Sequence, residues 1–182
     1  VQNQDKVGVT LFSDQVEEYL PARKGASHAL RILRDILNCE PAHPGTDIKP
    51  ALELALGRIA HRALVVLVSD LITPSNAWEK TLRAAAAKHD VVVAHVTDPR
   101  ELELPNVGRV VLQDPETGEE VLVNTSDPNV RRQYEERMKA HQDYITHLLR
   151  RSGVERIEIR TDEDYVPALK AYFRSRRRRK RG

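Results

Sequence analysis

Two apolar runs stand out in the hydrophobic pattern of the chain, at residues 63–68 and 91–96. Apolar runs of this length without alternation are typical of strands that are buried on both faces of a parallel sheet. The first run ends at Ser69 and Asp70, and the second is followed by Asp98. We therefore expect two interior strands with a carboxylate at the tip of each.

Other strands and helices are predicted around these two runs. Strands are expected at residues 6–12, 16–20 and 154–159, and the one at 16–20 should return antiparallel as an edge strand that ends at Pro21. Helical spacing of apolar residues predicts five helices, which begin near residues 27, 48, 76, 128 and 165. Ser27 is expected to cap the first helix, in which Leu30, Leu33 and Leu37 share a face.

This order of elements predicts an α/β fold with a doubly wound, mostly parallel sheet and one antiparallel edge strand. The segments 109–113 and 120–124 flank the turn sequence Asp114-Pro115-Glu116-Thr117-Gly118, which predicts an inserted β-hairpin. A chain of 182 residues suits a single domain. We assign residues 1–175 to that domain and residues 176–182 to a basic tail.

Charge and cysteine content narrow the possible functions. The net charge is only +2, but a cluster of basic residues from Arg174 to Arg181 leaves the remainder mildly acidic. This cluster could bind nucleic acid or anionic lipid through phosphates, without sequence specificity, although a frayed, solvated terminus is the simpler expectation. Cys39 is the single cysteine, which favours a reducing compartment and a cytoplasmic location. No apolar run is long enough to span a bilayer.

The candidate chemistry lies at the expected carboxyl edge of the sheet. Thr46 precedes the second helix and should open at the same edge as Asp70, with Ser69 alongside. These hard oxygen donors suit Mg²⁺ or Mn²⁺. A simpler alternative is that Asp70 caps the following helix or turn. An enzymatic alternative is a Mg²⁺-dependent phosphoester hydrolase that uses Asp70 and Asp98, although no P-loop, serine-hydrolase or zinc-protease motif accompanies them.

Several segments resemble known bacterial domains. The sequence Gly45-Thr46-Asp47 before an amphipathic helix, together with residues 63–70, resembles the von Willebrand factor type A domain. Residues 7–14, 21–25, 88–91 and 114–118 resemble, more narrowly, the family called domain of unknown function 58. That resemblance covers nearly all of the chain.

The resemblance implies a metal-ion-dependent adhesion site. In such a site Thr46 and Asp70 would hold Mg²⁺ or Mn²⁺, and Ser69 and Asp47 would support these ligands. The family's Asp-x-Ser-x-Ser motif, which ends its first strand, is missing from this sequence. Either the chain is a fragment whose first strand precedes Val1, or this copy of the domain has lost the site. In some members of the family membrane helices precede this segment.

The resemblance also implies a function and a partner. The expected function is a non-enzymatic protein–protein interaction module. The expected partner is a MoxR-type AAA+ ATPase, acting in assembly or in metal insertion.

Overall fold

The computed structural model describes residues 5–42, 45–113 and 120–179. The elements found there are β1 (Val7–Phe12), β2 (Val16–Arg23), α1 (Ala26–Asn38), α2 (Ile48–Arg58), β3 (Leu64–Ser69), α3 (Trp78–Lys88), β4 (Asp90–Thr97), β5 (Arg109–Gln113), β6 (Glu120–Asn124), α4 (Pro128–Arg151), β7 (Glu155–Arg160) and α5 (Val166–Arg179). A short 3₁₀ turn spans Pro99–Glu101. The predicted turn at residues 114–118 lies outside the described residues.

The centre of the fold is a parallel three-stranded sheet in the order β3-β4-β7. β1 and β2 form a separate antiparallel pair, and β5 and β6 form the expected hairpin. The protein is therefore a mixed α/β fold. Among the described residues no strand joins the β1–β2 pair to β3, so the doubly wound sheet with an antiparallel edge strand stays a prediction.

Helices pack on both faces of the parallel sheet. On one face, side chains of α2, α3 and α4 form the main core with Leu67 of β3 and Val93 of β4. On the other face, Tyr172 of α5 packs against Val92 of β4 and Ile157 of β7. The apolar faces of these helices thus pack against the sheet, as expected for amphipathic helices.

β3 is buried on one face only. Leu67 is 5% exposed, whereas Leu64, Val66 and Val68 on the opposite face are 40%, 46% and 59% exposed. The prediction that this strand is buried on both faces is wrong for the described residues, because the core that α5 forms involves β4 and β7 and no residue of β3.

The β1–β2 pair departs from the prediction at Pro21. β2 continues through this proline to Arg23 because the pairing register shifts between Val7 and Val9, and such a bulge tolerates a residue without an N–H group. Gly8 lies at the bulge. A Cβ atom there would lie 2.7 Å from the carbonyl oxygen of Leu20, so this close approach requires glycine.

The two terminal helices also differ from the prediction. α1 begins at Ala26, and its N-cap is Gly25, which has a φ of 104° and no side chain that could cap the helix, so Ser27 is not the cap. The shared face of Leu30, Leu33 and Leu37 is exposed.

α5 continues to Arg179, so the expected frayed terminus is wrong up to that residue, and residue 176 lies inside a helix. Lys180 and Arg181 lie outside the described residues. Within the described part of the chain, no helix has both the length and the apolar character of a membrane span.

Candidate functional site

The turn after β3 holds Asp70 in a defined position. Ser69 Oγ accepts a hydrogen bond from the N–H of Leu71 (3.0 Å), and Asp70 Oδ1 accepts one from the N–H of Ile72 (3.0 Å). Leu71 has a φ of 61°, a left-handed conformation that is uncommon for leucine, and its side chain is fully buried. Asp70 therefore caps a turn, as the simpler alternative proposed, while its side chain stays exposed.

Two histidines lie near this turn. His95 Nε2 is 3.0 Å from the carbonyl oxygen of Asp70. Burial lowers the pKa of His95 and of His141, while the charge of Asp70 acts in the opposite direction on both. Both rings are thus biased towards the neutral form. Leu71, the next residue, lines one cavity together with His141 of α4, so this turn lies beside α4.

A second acidic turn follows β4. Asp98 Oδ1 accepts a hydrogen bond from the N–H of Arg100 (2.9 Å), and Tyr134 Oη donates to the carbonyl oxygen of Glu101 (2.6 Å). Desolvation raises the pKa of the Glu101 carboxyl, and the charges of Asp98 and Asp70 raise it further. The acids after β3 and β4 therefore share the carboxyl edge of the sheet and repel one another.

Thr46 and Asp47 lie on the loop that enters α2. Asp47 Oδ1 accepts a hydrogen bond from the N–H of Lys49 (2.8 Å) and so caps the helix. The N–H of Asp47 donates to the carbonyl oxygen of Ser13 (2.8 Å). Thr46 is half-buried on this loop. The loop is thus attached to the β1–β2 turn.

The described hydrogen bonds do not join Thr46 to Asp70. Thr46 stands beside the β1–β2 turn, and Asp70 stands beside His95 and Glu101. Ser69 and Asp47 were predicted to support the metal ligands. In the structure each of these side chains accepts a hydrogen bond from a nearby backbone N–H group, which is a simpler role for both. Shared ligation of a cation by Thr46 and Asp70 stays a prediction.

The described residues do not form a complete divalent metal site. No group of three or more histidine, cysteine, aspartate or glutamate side chains among them could hold a metal ion. One carboxylate oxygen of Asp70 is already engaged by Ile72. A threonine hydroxyl and one aspartate would leave water or a partner's carboxylate to supply the other positions around Mg²⁺, an ion that usually keeps several waters in protein sites. Binding of Mg²⁺ or Mn²⁺ to this chain stays a prediction.

A small cavity adjoins the Asp70 turn. It has a volume of about 220 Å³ and is lined by Leu71, Thr73, Asn76, Trp78, His141 and Tyr144. Tyr144 Oη donates to Glu79 Oε1 (2.6 Å), and burial together with Glu79 raises the pKa of Tyr144 to about 12. The sequence pattern did not indicate this cavity, since its lining comes from two distant segments.

Two solved structures share this fold. The protein BatB from Bacteroides thetaiotaomicron matches with a TM-score of 0.52 and 19% identity, over 93% of this chain and 77% of that one. An aerotolerance-related membrane protein from Bacteroides fragilis matches with a TM-score of 0.51 and 17% identity, over 91% of this chain and 76% of that one. At these identities the likeness concerns the fold alone.

Sequence relatives come from mycobacteria. The uncharacterized proteins Mb1516 of Mycobacterium bovis and Rv1480 of Mycobacterium tuberculosis are each 34% identical over 176 residues, which are 96% of this chain and 55% of each relative. MAV169 of Mycobacterium avium is 34% identical over 161 residues, which are 87% of this chain and 94% of that protein. The chain thus spans about half the length of the first two relatives. The family model "Protein of unknown function DUF58" matches residues 1–144, and the chain belongs to this family.

Proposed function

We propose that this protein is a non-enzymatic interaction module of von Willebrand A type that docks a partner at the carboxyl edge of its parallel sheet. The proposed partner is a MoxR-type AAA+ ATPase, and the proposed process is assembly or metal insertion. The observation that carries the proposal is the exposed carboxylate of Asp70, which the N–H of Ile72 fixes at the tip of β3. A carboxylate presented in one orientation suits recognition of a partner.

The surroundings of Asp70 support a docking role. The charges of Asp98 and Asp70 both act on Glu101, so three acids contribute negative charge at this edge. Such an edge favours a partner that presents lysine, arginine or backbone N–H groups. The proposal does not depend on a resident metal ion, because the described donors do not complete a site.

The names of the fold relatives suggest where such a module would work. One of them is described as an aerotolerance-related membrane protein, and the first two mycobacterial relatives are almost twice as long as the matched region. We therefore propose that this domain lies on the cytoplasmic side of a longer protein that is anchored in a membrane.

The docking proposal is tested by measuring affinity for a MoxR-type AAA+ ATPase from the same organism. Asp70→Asn removes the charge and keeps an oxygen that can accept the Ile72 hydrogen bond, so the turn should persist. We expect Asp70→Asn to weaken binding by about tenfold or more. The matched control, Glu136→Gln, neutralises an exposed acid on α4 and should leave affinity unchanged. Equal affinity of wild type and Asp70→Asn would refute the proposal.

The metal ion is tested separately on the protein alone. If this chain holds Mg²⁺ or Mn²⁺ through Asp70, adding either ion raises the Tm of the wild type but not that of Asp70→Ala. If neither ion changes the Tm of the wild type, the chain does not hold a metal ion, and docking would use the Asp70 carboxylate directly.

One observation favours a second candidate function, a Mg²⁺-dependent phosphoester hydrolase that uses Asp70 and Asp98. The raised pKa of Glu101 beside both aspartates is typical of a group that exchanges protons during catalysis. Incubation with a panel of phosphoesters, with and without Mg²⁺, tests this alternative. Turnover that requires Mg²⁺ and is lost in both Asp70→Ala and Asp98→Ala would favour the enzyme over the docking module.

A further inference from the structure

The cavity beside the Asp70 turn is lined by aromatic and polar side chains. Its volume is about 220 Å³, which is below the roughly 300–1,000 Å³ of most small-molecule and cofactor sites. The residues that line it are Leu71, Thr73, Asn76, Trp78, His141 and Tyr144. A space of this size suits one amino-acid side chain better than a cofactor.

One lining residue, His141 of α4, has an unsatisfied polar atom. Its Nε2 atom is buried and has no hydrogen-bond partner among the described residues. Such an atom costs free energy, which a bound ligand can recover by hydrogen bonding to it. Burial lowers the pKa of His141, so the ring is biased towards the neutral form, in which one nitrogen is an acceptor. His141 can therefore accept a hydrogen bond from a ligand.

The hydroxyl groups of the cavity are available as acceptors. Tyr144 Oη donates its proton to Glu79 Oε1 (2.6 Å), so its oxygen can only accept from a ligand. Thr73 Oγ1 donates to the carbonyl oxygen of Ser75 (2.9 Å) and accepts from Trp78 Nε1 (3.2 Å). With both protons engaged, the two hydroxyls favour a ligand that donates hydrogen bonds.

The charges around the cavity favour a cation. The negative charge of Asp70 acts on His141, and the carboxylate of Glu79 is bonded to Tyr144. Arg83 pairs with the other oxygen of Glu79 (3.4 Å), but among the described residues that line the cavity none is lysine or arginine. The two carboxylates would repel an anion and attract a cation.

The flat walls of the cavity distinguish arginine from lysine. The rings of His141 and Tyr144 are neighbours, with centroids 6.3 Å apart, and Trp78 forms another wall. A guanidinium is planar, stacks on aromatic rings and donates from several N–H groups, whereas an ammonium is a compact, strongly hydrated charge. The cavity therefore fits the end of an arginine side chain better than that of a lysine.

We propose that this cavity receives one arginine side chain of the protein that docks at the carboxyl edge of the sheet. The guanidinium stacks on the aromatic walls and donates hydrogen bonds to His141 and to Tyr144 Oη. The choice of a protein as the source of the arginine rests on the proposed docking function, whereas the choice of a guanidinium rests on the cavity alone.

The fluorescence of Trp78 can report on the cavity directly, because it is the only tryptophan of the chain. N-acetyl-arginine amide, which imitates an arginine within a protein chain, is titrated into the protein at constant ionic strength. We expect a saturable change in fluorescence with a dissociation constant of about 1–10 mM. The corresponding citrulline and lysine compounds should each bind at least about fivefold more weakly. Absence of a saturable change, or equal binding of the uncharged citrulline compound, would overturn the proposal.

Variants show whether the probe occupies this cavity. His141→Phe keeps a flat ring without its nitrogens and should weaken binding of N-acetyl-arginine amide by about fivefold or more. The matched control His147→Phe makes the same change at an exposed position of α4 and should leave the affinity unchanged. If circular dichroism shows that His141→Phe does not fold, Asn76→Leu takes its place, since Asn76 is an exposed lining residue and its loss should have the same effect. Unchanged affinity in the folded variant would overturn the proposal.

Two further measurements identify the source of the arginine. Free L-arginine should bind no more tightly than N-acetyl-arginine amide, and the folded cavity variant should bind the AAA+ ATPase about fivefold more weakly than the wild type does. Tenfold tighter binding of free L-arginine, or full affinity of the variant for the ATPase, would overturn the proposal. If the wild type does not bind the ATPase at all, the proposed function is refuted together with the source of the arginine, while the titration with N-acetyl-arginine amide still decides whether the cavity binds a guanidinium.

Discussion

The turn at Asp70 shows how two neighbouring polar side chains can serve different purposes. Ser69 is half-buried and holds the N–H of Leu71, a residue with a strained left-handed φ. Asp70 holds the next N–H but keeps its carboxylate exposed. We therefore assign to Ser69 the role of stabilising the turn, and to the exposed carboxylate of Asp70 the role of binding a partner.

This assignment predicts different effects for two substitutions. Ser69→Ala removes the acceptor of the Leu71 N–H and should lower the free energy of unfolding by about 1 kcal/mol. Asp70→Asn retains an acceptor oxygen and should change the free energy of unfolding by less than about 0.5 kcal/mol. Urea unfolding of the two variants measures both values. A loss in Asp70→Asn as large as that in Ser69→Ala would contradict the assignment.

Buried histidines make the stability of the protein depend on pH. His89 is 1% exposed, and burial, with a smaller contribution from Lys88, lowers its pKa below the ordinary value of 6.5. The unfolded chain therefore binds more protons below pH 6.5 than the folded chain does. By linkage, stability is fully present above pH 6.5 and decreases as the pH falls below it.

The contribution of His89 can be measured as the fall in the urea unfolding midpoint between pH 7.5 and pH 5.5. His89→Leu cannot bind a proton, so its midpoint should fall less than that of the wild type over this interval. His61→Leu alters an exposed loop histidine and should leave the wild-type fall unchanged. Equal falls in wild type and His89→Leu would show that His89 does not contribute to the acid sensitivity.

At the scale of single elements, hydrophobic periodicity predicted where helices and strands lie better than what they contact. The apolar runs at 63–68 and 91–96 became β3 and β4. The leucines of α1 share a face as predicted, but that face is exposed, and the buried residue of the helix is Ile32. Periodicity shows which residues share a face, whereas burial depends on what packs against that face.

α1 allows a direct test of this distinction with two adjacent residues. Ile32 is 7% exposed and Leu33 is 56% exposed. Ile32→Ala should lower the free energy of unfolding by about 2–4 kcal/mol, because it removes most of a buried side chain. Leu33→Ala should lower it by less than about 1 kcal/mol. Similar losses in the two variants would mean that the leucine face is covered in solution.

At the scale of the whole molecule, the elements were predictable but their assembly was only partly so. The parallel order β3-β4-β7 follows from strands separated by helices. The separation of the β1–β2 pair from this sheet has no local signal in the sequence. The apolar run at 63–68 located Asp70 at the tip of β3, but no pattern in the sequence shows whether a set of metal donors accompanies it.

The attachment of α5 to the sheet was also outside the reach of sequence reasoning, because it joins residues 86 positions apart. Arg176 Nη2 donates to Asp90 Oδ2, and Arg176 Nη1 donates to the hydroxyl of Tyr172 (3.1 Å). The Arg176 side chain is 16% exposed. The basic residue thus fixes the last helix to the first residue of β4, in a stretch whose composition alone indicated a solvated tail.

This attachment predicts that two neighbouring arginines are not equivalent. Arg176→Gln should lower the free energy of unfolding by about 1–2 kcal/mol, because it weakens a partly buried, charge-assisted pair. It should also speed hydrogen exchange in α5 before the rest of the fold. Arg177→Gln removes the same charge from an exposed position and should have little effect on either measurement. If both variants lost stability equally, the cause would be the reduced positive charge of the helix and not the contact between α5 and β4.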